Sequence, residues 1–351
     1  MRVGTGAFAI ACAAVVATLP GVARATDCTG PVSPCVNDDT LWPHPGTSYF
    51  QAVGGSDTVG ASQLGFALLV SYLSRPIVLA RDYGLPPWTT PDATVLCASY
   101  SGNTEETLAC YESAGALGAH RVVATAGGRL AELAREDGVA VIPIPGGFQP
   151  RAALGYMLVA SLEVAALCGA GPRLAAEIDV AAGHLDALAL EWGPQADEAS
   201  LAKSLAAKLH GTVPLVAGAG LTTAIAYRWK TQINENAKLP AFWSELPELD
   251  HNEIAGWGGA AALAPFSAIF LDDCDSHPRL RTRIELTDRA IGSAARFTAV
   301  VSTLGESALE RVCSLVLLGD LVSCYLAVLA GVDPTPVEAL NELKQALAAR
   351  E

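Results

Sequence analysis

Short apolar runs bounded by Gly, Pro or hydroxyl residues alternate along this chain with longer stretches in which apolar positions recur at helical spacing. The runs predict strands buried on both faces, and the 3.6-residue period between them predicts helices. From Ser48 onward the expected order is a strand over Tyr49 to Val53, a helix over Ala61 to Leu73 and strands over Ile77 to Ala80 and Val95 to Ala98. A helix over Glu105 to Leu117 and strands over Arg121 to Thr125 and Val139 to Ile144 follow, and Pro143, Pro145, Gly146 and Gly147 then break the pattern. Helices are expected over Ala152 to Leu167, Arg173 to Leu190 and Glu198 to Leu209. The alternation restarts with a strand over Val213 to Ala217, a helix over Leu221 to Asn236 and strands over Ser267 to Leu271 and Phe297 to Val301. A long apolar helix over Ser307 to Ala330 and a terminal helix after Pro334 complete it. Strand–helix alternation of this kind implies βαβ units, parallel sheets and an α/β class, with the second half reading as a degenerate copy of the first.

One segment carries chemistry of its own. In Val95 to Thr107, VLCASYSGNTEET, an apolar strand stops at Ser99-Tyr100-Ser101-Gly102-Asn103-Thr104 and a helix begins at once. Unpaired backbone amides and the positive end of a helix dipole converge at such a place, which makes it a cradle for anions. Ser99, Ser101 and Thr104 add hydroxyls without bulk, so the expected ligand is a phosphate. The alternative is an ordinary helix cap, since Ser, Asn and Thr are common cap residues. Gly54-Gly55-Ser56, after the first strand, reads either as a second phosphate-side loop or as a plain turn.

The SYSGNTEET stretch resembles the phosphosugar-binding loop of sugar isomerase (SIS) domains. With FQPRAALGY (Phe148 to Tyr156), KTQINENAKLPAF (Lys230 to Phe242), DHNEIAGW (Asp250 to Trp257) and GVDPTPVEALNELK (Gly331 to Lys344), the chain resembles the bifunctional phosphoglucose/phosphomannose isomerases from about Val53 to Lys344. The resemblance implies two SIS-type, doubly wound parallel-sheet domains in tandem. The first is expected over 46–165 and the second over 211–351, with a helical connector over 166–210 and a divergent leader over 1–45. It also implies interconversion of glucose 6-phosphate or mannose 6-phosphate with fructose 6-phosphate through an enediolate, without a cofactor, in a homodimer.

The resemblance gives Glu235 as the base that moves a proton between adjacent carbons, and Arg151 as the cation facing the enediolate oxygens. His251 becomes the ring-opening group, entering from the partner subunit, and Lys344 a second group near the ring or the enediolate. Gly55, Ser56, Ser99, Ser101 and Thr104 become the phosphate side, and Thr335, between two prolines, a small polar contact near the reacting end. The chain departs from the family pattern before Gly54, where Val53 replaces the family's Met. The rival reading is a non-catalytic phosphosugar sensor, which would need the loop but not Glu235, Arg151 and His251 together.

Composition narrows the field further. The 351 residues suffice for two substantial cores. A net charge of −14 excludes a nucleic-acid partner and leaves an anionic substrate to be held by local donors alone. Gly218-Ala219-Gly220 lacks the third glycine and the later strand-end acid of a dinucleotide fingerprint, so no nucleotide is expected there. Asp272-Asp273-Cys274-Asp275-Ser276-His277 reads as a solvated loop, and Asp250-His251 lacks companion histidines, so no metal is expected. The nine cysteines show no metal or C-x-x-C spacing, and Cys97, Cys168, Cys313 and Cys324 lie in apolar runs as small hydrophobes. Arg2, the apolar stretch Ala7 to Leu19 and Ala23-Arg24-Ala25 have the form of an export signal, with Cys28 and Cys35 as a pair that export would allow to bridge. Phosphorylated hexoses argue instead for the cytoplasm, and no membrane association is expected.

Overall fold

The computed structural model describes residues 50–54 and 77–350. The leader, the expected helix over Ala61 to Leu73, and Gly55, Ser56, Cys28 and Cys35 lie outside those residues. The chain divides into two compact units at Leu174/Ala175.

The first unit holds strands β1 (Phe50–Gly54), β2 (Ile77–Ala80), β3 (Thr94–Ala98), β4 (His120–Thr125) and β5 (Ala140–Pro143), all parallel in the order β2-β1-β3-β4-β5. Helices α1 (Glu105–Leu117), α2 (Gly128–Glu136) and α3 (Leu154–Leu167) alternate with the strands or follow them. β3 is apolar because a central parallel strand is covered on both faces. Val95, Cys97, Tyr111, Val123 and Leu130 form the core, and burial pushes the Cys97 thiol pKa up, as suits a cysteine that acts as a hydrophobe. The strand order reverses beside β1, so this sheet has a switch point between β1 and β3. Open α/β sheets bind ligands outside the carboxyl ends of the strands at such a point.

The second unit repeats the scheme. Strands β6 (Val213–Ala219), β7 (Phe242–Leu246), β8 (Phe266–Asp272) and β9 (Phe297–Ser302) form a parallel sheet in the order β7-β6-β8-β9, with the reversal between β6 and β8. Its helices are α4 (Ala175–Trp192), α5 (Leu201–Leu209), α6 (Thr223–Ala237), α7 (Glu253–Leu263), α8 (Pro278–Ile291), α9 (Ala308–Ala330) and α10 (Glu338–Ala348). α9 begins in a capping box: Ser307 Oγ accepts the Glu310 amide at 3.2 Å, and the Glu310 carboxylate accepts the Ser307 amide at 2.9 Å. By length and apolarity α9 could cross a membrane, but α4, α5 and α6 pack against it as the central helix of this unit.

Within the stretch expected as a connector, the boundary falls after Leu174 and the next two helices join the second unit. The reason is packing: α4 and α5 lie on α9, and the Tyr325 hydroxyl donates to the carbonyl of Trp192 at 2.7 Å. Four elements go beyond the sequence pattern: α2, β7, α7 and α8.

Candidate active site

The loop after β3 is built around Ser99, which is fully buried. Its hydroxyl accepts the Gly102 amide at 3.1 Å and shares a 2.9 Å hydrogen bond with the Thr104 hydroxyl. Ser99 therefore shapes the loop from inside through these two bonds. Ser101 lies half-exposed at the turn, where its Oγ accepts the Asn103 amide at 3.3 Å. Thr104 occupies the position before α1 with an extended backbone, and its hydroxyl does not cap the helix.

Gly102 sits at φ +69°, and a Cβ there would lie 1.8 Å from the Gly127 carbonyl oxygen, so the turn accepts only glycine. A second strap follows on the α2 side. The Leu130 amide donates to Gly102 O at 2.8 Å and the Arg129 amide to Asn103 Oδ1 at 2.9 Å. The loop is thus tied down by its own hydrogen bonds, and α1 begins directly after it.

Tyr100 links the loop to the segment that carries Arg151. Its hydroxyl donates to Pro145 O at 3.2 Å and accepts the Phe148 amide at 2.9 Å. Arg151, half-buried, follows in a 3-10 turn (Pro150–Ala153) that leads into α3. The fold thus brings the 145–148 segment, just before Arg151, to the flank of the loop.

Glu235, Thr335, Lys344 and His251 belong to the second unit. Glu235 is half-buried in the last turn of α6, a helix fixed to α9 along its length. Arg228 grips Asp320 with two bonds of 3.0 and 2.7 Å, Trp229 Nε1 donates to Leu315 O at 2.8 Å, and Asn236 donates to Ser323 Oγ at 2.8 Å. α6 ends at Lys238 in the left-handed region, and its ammonium bridges the carbonyls of Glu235 and Pro334. That bridge gathers the Pro334–Thr335 tail to the end of the helix that presents Glu235. Lys344 lies exposed on α10.

His251 is exposed at the end of a 3-10 turn (Glu248–His251) that precedes α7. Asn252 caps α7 by accepting the Glu253 amide at 2.6 Å.

The acidic run after β8 differs from its expected solvated state. Asp272 and Asp273 are buried. Asp273 Oδ1 accepts from Arg311 Nε at 2.8 Å and from the Thr303 hydroxyl at 3.1 Å, while Asp272 pairs with Arg281 at 3.3 Å. Burial holds the Asp272 carboxyl above its ordinary range, against the pull of Arg281. The node is an internal ion-pair cluster, and His277 caps α8 through Nδ1. No group of three or more His, Cys, Asp or Glu among the described residues could hold a metal ion.

This arrangement of two parallel sheets, with a rigid hydroxyl-lined loop at one switch point, has close counterparts. The chain is 40% identical over 297 residues to a bifunctional phosphoglucose/phosphomannose isomerase of Caldicellulosiruptor bescii, covering 83% of this chain and 88% of the relative. A protein of the same description from Aquifex aeolicus is 36% identical over 298 residues, covering 85% and 89%. The chain belongs to the bifunctional phosphoglucose/phosphomannose isomerase family. Residues 198–347 also match the bacterial phospho-glucose isomerase C-terminal SIS domain. Among solved structures, tagatose-6-phosphate ketose/aldose isomerase from Escherichia coli shares the fold with a TM-score of 0.63 at 13% identity, over 82% of this chain and 83% of that one.

The sequence reading missed the clamp on Asp250 described below and the Lys238 bridge. Lys238 could have been found, since a residue just past a predicted helix end is where a left-handed cap falls.

Proposed function

We propose that the chain is an aldose–ketose isomerase that interconverts glucose 6-phosphate, mannose 6-phosphate or both with fructose 6-phosphate. Family membership across most of both chains' lengths carries this reading. The phosphate rests on the loop from Ser99 to Thr104, with Ser101, Thr104 and the start of α1 as donors and Gly55 and Ser56 as further phosphate-side residues. His251 moves the proton that opens the sugar ring, assisted by Lys344. Glu235 then takes the proton from C2 and returns it to C1, while Arg151 faces the negative charge that develops on the enediolate oxygens. No redox partner is needed, because the proton stays within one substrate and the electrons only shift between C1 and C2. A regulator that merely binds phosphosugars would have no use for Glu235, Arg151 and His251 together.

The working form in this reading is a cytoplasmic homodimer, with His251 completing the partner's site. Its exposure on the 3-10 turn supports that placement.

The test is a coupled assay with each hexose 6-phosphate and with unphosphorylated glucose. Turnover of the phosphorylated sugars with very poor turnover of glucose is expected. Equal turnover of glucose and glucose 6-phosphate would overturn the assignment.

A further inference from the structure

His251 stands on a turn fastened by several contacts, and part of the fastening comes from α8, outside the motif that carries the histidine. Leu249, two residues earlier, is fully buried in the core of the second unit. The Asp250 amide closes the turn on Pro247 O at 3.1 Å. On the far side, Asn252 donates to Glu248 at 3.0 Å. Asp250 itself is taken by α8: its Oδ2 accepts from Arg283 Nη1 at 2.8 Å and its Oδ1 from the Thr287 hydroxyl at 2.7 Å.

Arg283 and Thr287 are four residues apart, so they project from one face of α8 and grip one carboxylate oxygen each. Thr287 is buried and the Asp250 side chain nearly so. A charged pair shielded on one side and supported by a second hydrogen bond fixes geometry far better than a solvated surface pair does. The imidazole of His251, in contrast, has no hydrogen-bond partner among the described residues. Its place is therefore set by the turn beneath it.

We propose that Arg283 and Thr287 are positioning residues for isomerisation, acting through Asp250 to hold His251 where it meets the sugar ring. The proposal rests on the ring-opening role of His251 given above. Neither residue touches the substrate; what they supply is the preorganisation that makes an exposed histidine useful.

A double-mutant cycle tests it. Arg283→Ala is made in the wild-type and in the His251→Ala background, and kcat and KM are measured on glucose 6-phosphate, with thermal melts to confirm folding. In the wild-type background kcat is expected to fall roughly ten- to a hundred-fold with KM little changed, the scale of a misplaced reacting group. In the His251→Ala background no further fall is expected, because the group being positioned is already gone. Arg283→Lys should recover part of the rate. Arg279→Ala, one turn earlier on α8, should leave it unchanged.

Where Arg283→Ala does not fold, Thr287→Val carries the same cycle. An equal fold-loss in both backgrounds overturns the proposal and leaves the role of His251 standing, as does a full rate for the folded variant beside a slow His251→Ala. A full rate for His251→Ala overturns the ring-opening assignment and the proposal with it.

Discussion

The two units have the same strand order around their switch points, yet the crevices carry opposite chemistry. After β3 the chain presents small hydroxyl residues and a glycine, and α1 starts without a side-chain cap from Thr104. After β8, the equivalent strand, it presents Asp272 and Asp273, buried and neutralised by Arg281 and Arg311, and α8 starts already capped by His277. The turn after β6 is filled by the chain itself: the Thr222 hydroxyl donates to Leu271 O at 2.7 Å and accepts the Ala219 amide at 2.9 Å. A phosphate arriving there would meet carboxylates and spent donors. Topology offers both crevices; the side chains leave one suited to an anion.

The sharpest way to break this comparison is Arg311→Ala. If the second crevice is a sealed structural node, removing Arg311 strands the buried Asp273 carboxylate and should cost about 3–5 kcal/mol of stability. Urea denaturation would show it, with KM for the sugar phosphate unchanged in the folded fraction. A raised KM without loss of stability would make that crevice a ligand site.

At the first crevice the expected effect is smaller and of another kind. Ser101→Ala should weaken substrate binding by roughly 1–2 kcal/mol, the scale of a charge-assisted hydrogen bond, and leave the melting temperature nearly untouched. A loss of stability with unaltered binding would assign Ser101 to the scaffold beside Ser99.

The least effect belongs to the cap of α9. Hydrogen bonds from Ser307 hold the Glu310 carboxyl below its ordinary range. A depressed carboxylate pKa contributes stability above its unfolded value that is lost as pH falls through the folded one. Ser307→Ala should cost about 0.5–2 kcal/mol at neutral pH. That gap should narrow as the solution is acidified below the carboxylate range. A gap independent of pH would mean that the cap stabilises through backbone geometry alone.

Much of this was legible in the sequence where apolar residues dominate. β3 and α9 are continuous apolar elements, and their bounds differ from the pattern by a residue at most. α8 escaped because its buried stripe is narrow: Ile284, Thr287 and Ile291 lie among arginines and acids. α7 escaped because of its three glycines, and β7 because this edge strand leaves the large apolar Phe242 and Trp243 exposed while burying Ser244 and Leu246.

The same limit governs the site. SYSGNT announces a loop, but a serine at a strand end reads alike whether it faces a ligand or, like Ser99, folds inward. Asp272-Asp273 reads as a solvated pair because its partner Arg311 lies far along the chain, on α9. The partners of Ser99 lie within its own loop, in a geometry the sequence does not reveal, and the partner of Asp273 is tertiary.

In the proposed reaction the Ser99 to Thr104 loop holds the phosphate while Glu235 moves the proton. Steady-state kinetics of Glu235→Gln test it most directly, since glutamine keeps the shape of the side chain and cannot accept the C2 proton. General-base catalysis contributes about 10²–10⁴-fold, so kcat should fall by that factor while KM stays close to its original value. A Glu235→Gln enzyme that turns over at near the wild-type rate would contradict the account.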